Sequence, residues 1–456
     1  MAVALVALGS TFMAQGQVNQ QKIPEKTRIL FLLDASGSML AKWENTYRIA
    51  VAKTLLSELV DSLRNVPNVE LALRVYGHQY HRRFQNCQDT RLETPFGPDN
   101  HDAIKKRLAS LTPQGNTPIA YSIEKAAGDF PNTDARNIII IITDGLESCD
   151  GDPCAVSMAL QRKGVFLKPF IVGIGMDKRF EEQFRCVGDF FDASDINSFK
   201  TALSQIVRKS LQRATVSVEL LDIHDQPTET NVNVTFLNNF TGEAAYEFVH
   251  YLDRQGRPDS VEVDPVLTYD VTVNTVPPVV RKNVEIEGGR HNVIRVKAPQ
   301  GTLKINHPGH TEYRNGVHIL IRKAGETEIL ETLMPNQTAR LLVGEYDVEA
   351  LTLPRTMLRN VAVAQSQLTQ LEIAAPGVVN ISSSYPGWGS IYMLDNNGGQ
   401  KWIYNLDPAA TKTNLAMQPG RYKVVFRSKN SMGSKFTEIV EFAVRSGAVS
   451  NVRFTF

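Results

Sequence analysis

The stretch Arg28-Ile29-Leu30-Phe31-Leu32-Leu33-Asp34-Ala35-Ser36-Gly37-Ser38-Met39 changes character at Asp34. Before it runs an unbroken apolar segment, the pattern of a strand covered on both faces. From Asp34 onward come three small oxygen-bearing side chains spaced two apart, Asp34, Ser36 and Ser38, with Gly37 easing the steric limits on a tight loop. A doubly covered strand that ends in a polar loop belongs to an open α/β sheet, where ligands gather at the carboxyl ends of the strands.

The flanking sequence repeats the theme. Trp43, Tyr47, Val51, Leu55, Leu59 and Leu63 recur every four residues and read as one helix ridge. Val69 to Val75 reads as a second strand, Ile138 to Ile142 as a third buried on both faces, Val165 to Gly175 as a fourth and Phe190-Phe191 as a short last one. Asp195 is placed to cap a helix running to about Arg213. Alternation of strand and helix implies parallel strands joined by crossovers. Residues 28–213 are therefore expected to form an open, mostly parallel, doubly wound, Rossmann-like sheet.

From Ala214 the helical period stops. Short alternating segments such as Thr215-Val216-Ser217-Val218-Glu219-Leu220 take over, separated by turn signals such as Asn396-Asn397-Gly398-Gly399. Tyr269, Tyr346 and Tyr422 each open a similar strand, at spacings of 77 and 76 residues. The segments beginning at Gly301 and Gly377 are likewise 76 residues apart. A fixed period of this kind marks repeated units. Three small all-β, sandwich-like repeats are expected at residues 214–299, 300–376 and 377–456.

Lys and Arg total 49 and Asp and Glu total 48, a formal charge of +1 over 456 residues. No chain-wide basic field exists to hold nucleic acid. Residues 1–16 open with a mostly apolar run shorter than the roughly 20 residues a membrane helix needs. This run reads as a signal peptide, with Ala14-Gln15-Gly16 as the cleavage region and a buried edge strand as the alternative; it lacks a basic residue in front, which points to a start further upstream or a misassigned start. No other stretch is apolar enough to span a bilayer. The chain is expected to be exported, to the periplasm, the cell surface or the medium. All 4 cysteines, Cys87, Cys149, Cys154 and Cys186, fall inside the α/β part, and disulfides persist in such compartments. Closeness in sequence favours Cys149 with Cys154 and Cys87 with Cys186.

Asp34, Ser36 and Ser38 are one of three oxygen-rich segments. Gly115-Asn116-Thr117-Pro118 offers the Thr117 hydroxyl before an apparent helix, and the five-isoleucine strand ends in Thr143-Asp144-Gly145. If the strands are neighbours, three hydroxyls and two carboxylates meet at one apex. Such hard oxygen donors suit Mg²⁺, and Mn²⁺ and Ca²⁺ share the preference for oxygen. Taken alone, Ser and Asp before a helix are ordinary N-caps.

Asp-x-Ser-x-Ser, a distant Gly-x-Thr-Pro and Thr-Asp-Gly after an apolar strand resemble the metal-ion-dependent adhesion site of von Willebrand factor type A domains. The resemblance implies Ser36, Ser38 and Thr117 as direct ligands, with Asp34 and Asp144 acting directly or through water. It further implies an open coordination position that takes an Asp or Glu carboxylate from a partner protein. Val75-Tyr76-Gly77-His78 and the loop from Glu147 to Cys154 resemble a subgroup of secreted bacterial type A proteins. The sheet order of that family implies Cys87 with Cys149 and Cys154 with Cys186, so two pairings stand open. The turns before Tyr346 and Tyr422 loosely resemble envelope β-sandwiches of the PEGA or carboxypeptidase-regulatory type.

Other signals are weaker. His78, His81 and Cys87 suggest a zinc site only faintly, and Asp152 before Pro153 reads as a helix cap. Trp388, Trp402 and Tyr404 read as sandwich core or hairpin packing, with a carbohydrate-stacking face as the alternative. No Gly-x-Ser-x-Gly elbow or phosphate loop occurs. No acid/base pair sits beside the metal loops, so catalysis is not expected. Two functions remain: a cation-dependent protein-binding module on a β stalk, or an envelope scaffold whose β units make the contacts and whose metal is structural. Neither the partner nor the oligomeric state is legible.

Overall fold

The computed structural model describes residues 23–175 and 179–455, so the signal-peptide reading of residues 1–16 lies outside the described residues. The strands of the α/β part are β1 (Thr27–Asp34), β2 (Val69–Tyr76), β3 (Thr90–Gly97), β4 (Arg136–Thr143), β5 (Phe170–Ile174) and β6 (Asp189–Ala193). They form one sheet in the order β3-β2-β1-β4-β5-β6. Only the pairing of β2 with β3 is antiparallel; all others are parallel.

Every residue of β1 and of β4 is buried, as their unbroken apolar runs require. Alternate side chains serve opposite faces. Ile29, Phe31 and Leu33 pack with Ile138, Ile140 and Ile142 under α1 (Arg48–Ser62), α2 (His101–Ser110) and α6 (Ile196–Leu211). Leu30 and Leu32 pack with Ile139 and Ile141 under α3 (Ile119–Ala127), α4 (Pro153–Arg162) and α5 (Arg179–Phe184). The sheet is thus doubly wound. Asp195 begins α6 through a reciprocal capping box with Ser198, and Asp152 caps α4 by accepting from the Cys154 and Ala155 amides.

The four-residue ridge is helical only from Arg48 onward. Trp43 and Tyr47 lie in a small hairpin, Lys42–Trp43 against Thr46–Tyr47, whose turn uses Glu44 at φ 53°. A left-handed residue interrupts a right-handed helix, so the apolar period overran the element.

After residue 213 three β units follow, each a three-stranded sheet facing a four-stranded one. In each the first and last strands pair in parallel and close the unit: Ala214–Leu221 with His291–Lys297, Gln300–Asn306 with Leu368–Glu372, and Gly377–Ser383 with Val449–Phe454. Each has its own apolar core. The repeated tyrosine has one job in all three. Its buried hydroxyl donates to a backbone carbonyl just upstream: Tyr269 to Asp264 (2.6 Å), Tyr346 to Leu342 (2.7 Å) and Tyr422 to Gln418 (2.7 Å).

Trp388 and Trp402 are not core residues; they are 52% and 54% exposed, while Tyr404 packs partly against the core. Strand alternation explains the exposure of Trp388. Gly387 and Gly389 face inward because Phe426 and Leu406 fill the space their side chains would take, so Trp388 points out.

The first β unit is pinned to the α/β part. Arg136, the first residue of β4, makes a two-pronged ion pair with Asp264, both contacts at 2.7 Å, and donates to the Ser210 carbonyl at 2.6 Å. Both side chains are buried, and Val266 joins the α/β core. Breaking such a pair from one side leaves a buried charge uncompensated, at about 3–5 kcal/mol. Asp264→Ala should lower the thermal midpoint and speed tryptic cleavage near Arg213; Arg136→Met with Asp264→Leu should recover most of both. Tyr346→Phe should cost the second unit about 1 kcal/mol, read from its unfolding transition.

Candidate functional site

Strand register builds the apex. Asp34 pairs with Tyr76 across β1 and β2, and Leu33 pairs with Ile142 across β1 and β4, so Asp34, Tyr76 and Thr143 end at one level. The loops beyond them converge over the central strand.

Asp34 is fully buried. Its Oδ1 accepts from the Ser36 amide at 2.7 Å and its Oδ2 from the Thr143 hydroxyl at 2.8 Å. The Ser36 and Ser38 hydroxyls lie 2.9 Å apart, and Ser38 donates to Asp144 Oδ1 at 2.7 Å. Asp34, Ser36, Ser38 and Asp144 thus belong to one polar cluster.

Thr117 arrives on the neighbouring loop. Its amide donates to the Ser148 hydroxyl at 2.8 Å, and that loop is joined to the first by a bridge between Ser36 and Gly115. Two glycines make the approach feasible. A Cβ on Gly77 (φ 70°) would stand 2.5 Å from the Asn116 carbonyl and 2.8 Å from the Ser36 amide nitrogen. One on Gly115 would stand 2.8 Å from Asp89 Oδ2. Asp89 is buried and pins the same crossing by accepting from the amides of Gln79 and Tyr80.

Burial, and then the charge of Asp144, push the Asp34 carboxyl up to about 6. Arg48, at the start of α1, answers part of that charge by donating to Asp144 Oδ2 at 2.7 Å. The Tyr76 hydroxyl is buried beside Asp34 and Thr143 without hydrogen-bond geometry to a partner. Burial drives its pKa well above the usual value, and the Asp34 charge adds to this. Two crowded carboxylates, the Ser36 and Ser38 hydroxyls and an unpartnered phenol offer oxygens whose chemistry suits a hard divalent cation, with Thr117 on the adjoining loop.

The surrounding loops are stapled. Cys87 is bonded to Cys149 and Cys154 to Cys186, the pairing that the family's sheet order implies and not the one that sequence closeness favours. Cys87 is therefore committed, and His78 Nε2 lies 2.7 Å from Glu93 Oε1. Among the described residues no cluster of three His, Cys, Asp or Glu side chains is placed to hold a metal, which leaves the faint zinc signal without a site. Glu147, just past the Thr-Asp-Gly segment, accepts from the Ala120 and Cys149 amides at 2.7 and 2.9 Å. Its carboxyl is raised by burial, with the amides working against that shift.

Arg48, Tyr76 and Asp89 were not identified from the sequence. Arg48 reads as one more polar residue at a helix start. Tyr76 falls within the Val75-Tyr76-Gly77-His78 segment and Asp89 follows Cys87 by two residues, and nothing in their spacing marks them as apex residues.

The model of the von Willebrand factor type A domain family matches residues 29–147. The uncharacterized protein YwmD of Bacillus subtilis (strain 168) is 29% identical over 196 residues, 40% of this chain and 86% of its own length. Among solved structures, the pilus adhesin SpaC of Lactobacillus rhamnosus GG aligns over 94% of this chain and 83% of its own at 9% identity, with a TM-score of 0.37. Proximal thread matrix protein 1 of the mussel byssus, solved with a zinc-occupied MIDAS motif, aligns over 40% of this chain and 45% of its own at 21% identity, with a TM-score of 0.33. The matched family segment spans β1, β2 and β4 and the three loops of the apex: the chain carries a von Willebrand factor type A domain.

Proposed function

We propose that this chain is an exported, divalent-cation-dependent protein-binding module of the adhesion type. Asp34, Ser36, Ser38, Thr117 and Asp144 hold a Mg²⁺-type cation, with Mn²⁺ and Ca²⁺ as chemically related occupants. The bound cation supplies an incompletely compensated charge with a free coordination position, which an Asp or Glu carboxylate of a partner protein completes. The observation that carries the reading is the gathering of the oxygen-rich loops at the carboxyl ends of β1 and β4, where a buried Asp34 faces Asp144.

The chain's own residues prepare the site. The Ser36 amide and the Thr143 hydroxyl fix the Asp34 carboxylate. Arg48 holds one oxygen of Asp144 while Ser38 bonds the other. Neutral serine and threonine hydroxyls leave more of a cation's charge for a partner than carboxylates would. The two disulfides order the loops around the apex before binding, which reduces the entropy lost on docking, and they suit an oxidising compartment.

The β units, divided at residues 214, 300 and 377, act as a stalk. Arg136 and Thr143 sit at opposite ends of β4, about 23 Å apart at strand rise. The stalk therefore joins the domain at the end away from the apex, and binding leaves the junction uncovered. Among the described residues no helix is long and apolar enough to cross a membrane.

Calorimetric titration of the full chain should show one Mg²⁺ site that Asp34→Ala removes. Capture of a partner from envelope or extracellular fractions should need Mg²⁺ and be abolished by EDTA and by Asp34→Ala, with the β units still folded. Capture that survives both treatments overturns the reading. Capture retained by residues 214–456 and absent from the type A domain would favour the scaffold function instead.

A further inference from the structure

Beside the apex lies a groove of about 900 Å³, lined by His81, Arg82, Arg83, Gln85, Asn116 and Asp150 together with Ser148 and the Cys87–Cys149 disulfide. It shares walls with the cation loops. Asn116 precedes Thr117, and the Ser148 hydroxyl accepts from the Thr117 amide at 2.8 Å. Arg82 reaches back over the first loop: its Cδ lies 3.9 Å from where a Cβ on Gly37 would be, and its amide donates to the Gln114 carbonyl at 2.7 Å.

The groove is basic and its cations are unspent. No carboxylate of the described residues pairs with the Arg82 or Arg83 guanidinium. Asp150 is the one acidic side chain in the lining. Arg83 lies over the Phe84 ring at 4.7 Å, a cation–π contact that leaves its N–H groups without a carboxylate partner. Phe84 is 60% exposed and Tyr80 49% exposed on the same loop. Exposed aromatics beside arginines are the composition of protein-recognition surfaces, where the arginine fork takes a carboxylate with two hydrogen bonds. The backbone beneath is fixed by the disulfide and by Asp89, so the groove is formed before a ligand arrives.

We propose that the partner segment carries two acidic groups a few residues apart. One carboxylate meets the cation at the apex, and the second enters this groove and pairs with Arg82 and Arg83, while the exposed Phe84 and Tyr80 of the same loop pack on the intervening chain. The inference rests on the apex reading and adds the partner's charge pattern to it. A protein segment is favoured over a polyanionic glycan because the apex asks for a single carboxylate and the rim offers apolar rings.

The test uses the full chain and short fluorescent peptides carrying one glutamate, and otherwise identical peptides with a second glutamate a few residues away. Fluorescence anisotropy in Mg²⁺ should show the second glutamate improving affinity about tenfold or more, the scale of a charge-assisted pair. In Arg82→Ala/Arg83→Ala that ratio should fall toward one, and in Arg82→Glu/Arg83→Glu below one. Calorimetric Mg²⁺ titration of each variant reports on the apex and its folding separately. Equal binding of the two peptides to the unaltered chain, or an advantage that survives the double substitution, overturns the inference and leaves the apex reading standing. Peptide binding indifferent to EDTA overturns the apex reading and this inference with it. Heparin binding that is lost in the double variant and indifferent to both EDTA and the peptides assigns the groove to polyanions and overturns the peptide assignment.

Discussion

The site depends on the common register of β1, β2 and β4. Strands buried on both faces cannot slide, because a one-residue slip would invert which side chains meet which helix layer. Asp34, Tyr76 and Thr143 are therefore held level by the packing of Ile29, Phe31, Leu33 and the five isoleucines, far from any polar interaction. The position of the Asp34 carboxylate is a consequence of core packing. Its buried charge is unfavourable by itself, and the protein tolerates it through one amide, one threonine hydroxyl and whatever positive charge reaches the apex.

Arg48 places a fixed cation on Asp144 but leaves Asp34 with hydrogen bonds alone. The raised Asp34 carboxyl reports that imbalance. A site of this kind is not balanced by its own side chains, and a mobile divalent ion suits it better than a second arginine. On the proposed function, an arginine would fill the space that a partner's carboxylate enters.

The layers of the fold were legible because buried strands and alternating strands leave different patterns. Arg28 to Leu33 and Ile138 to Ile142 announce double burial, and Tyr269, Tyr346 and Tyr422 announce the repeat. What the period could not show was where it stopped being helical: Trp43 and Tyr47 keep the spacing but belong to a hairpin turned by Glu44. Trp388 and Trp402 misled for a related reason. Hydrophobicity suggests burial, but on the strand of Trp388 the inward phase was already taken by Gly387 and Gly389, which make room for Phe426 and Leu406. At the apex the oxygen-bearing segments stood out by motif. Arg48, Tyr76 and Asp89 did not, since their roles arise from contacts across long sequence separations.

The balanced net charge also takes its meaning from placement. A charge of +1 over the whole chain excludes long-range attraction of a polyanion, yet the oxygen-rich loops and the unpaired Arg82 and Arg83 stand on one end of the type A domain. At physiological ionic strength charges act over roughly 8 Å. A partner bound as proposed would therefore respond to the few groups at the apex and hardly to the acidic and basic pairs elsewhere. The Arg136–Asp264 pair keeps that end free, since it anchors the stalk at the opposite edge of the same strand that delivers Thr143 and Asp144. Strand β4 thus carries the attachment at its first residue and the proposed recognition site at and beyond its last, and the six buried residues between them separate the two.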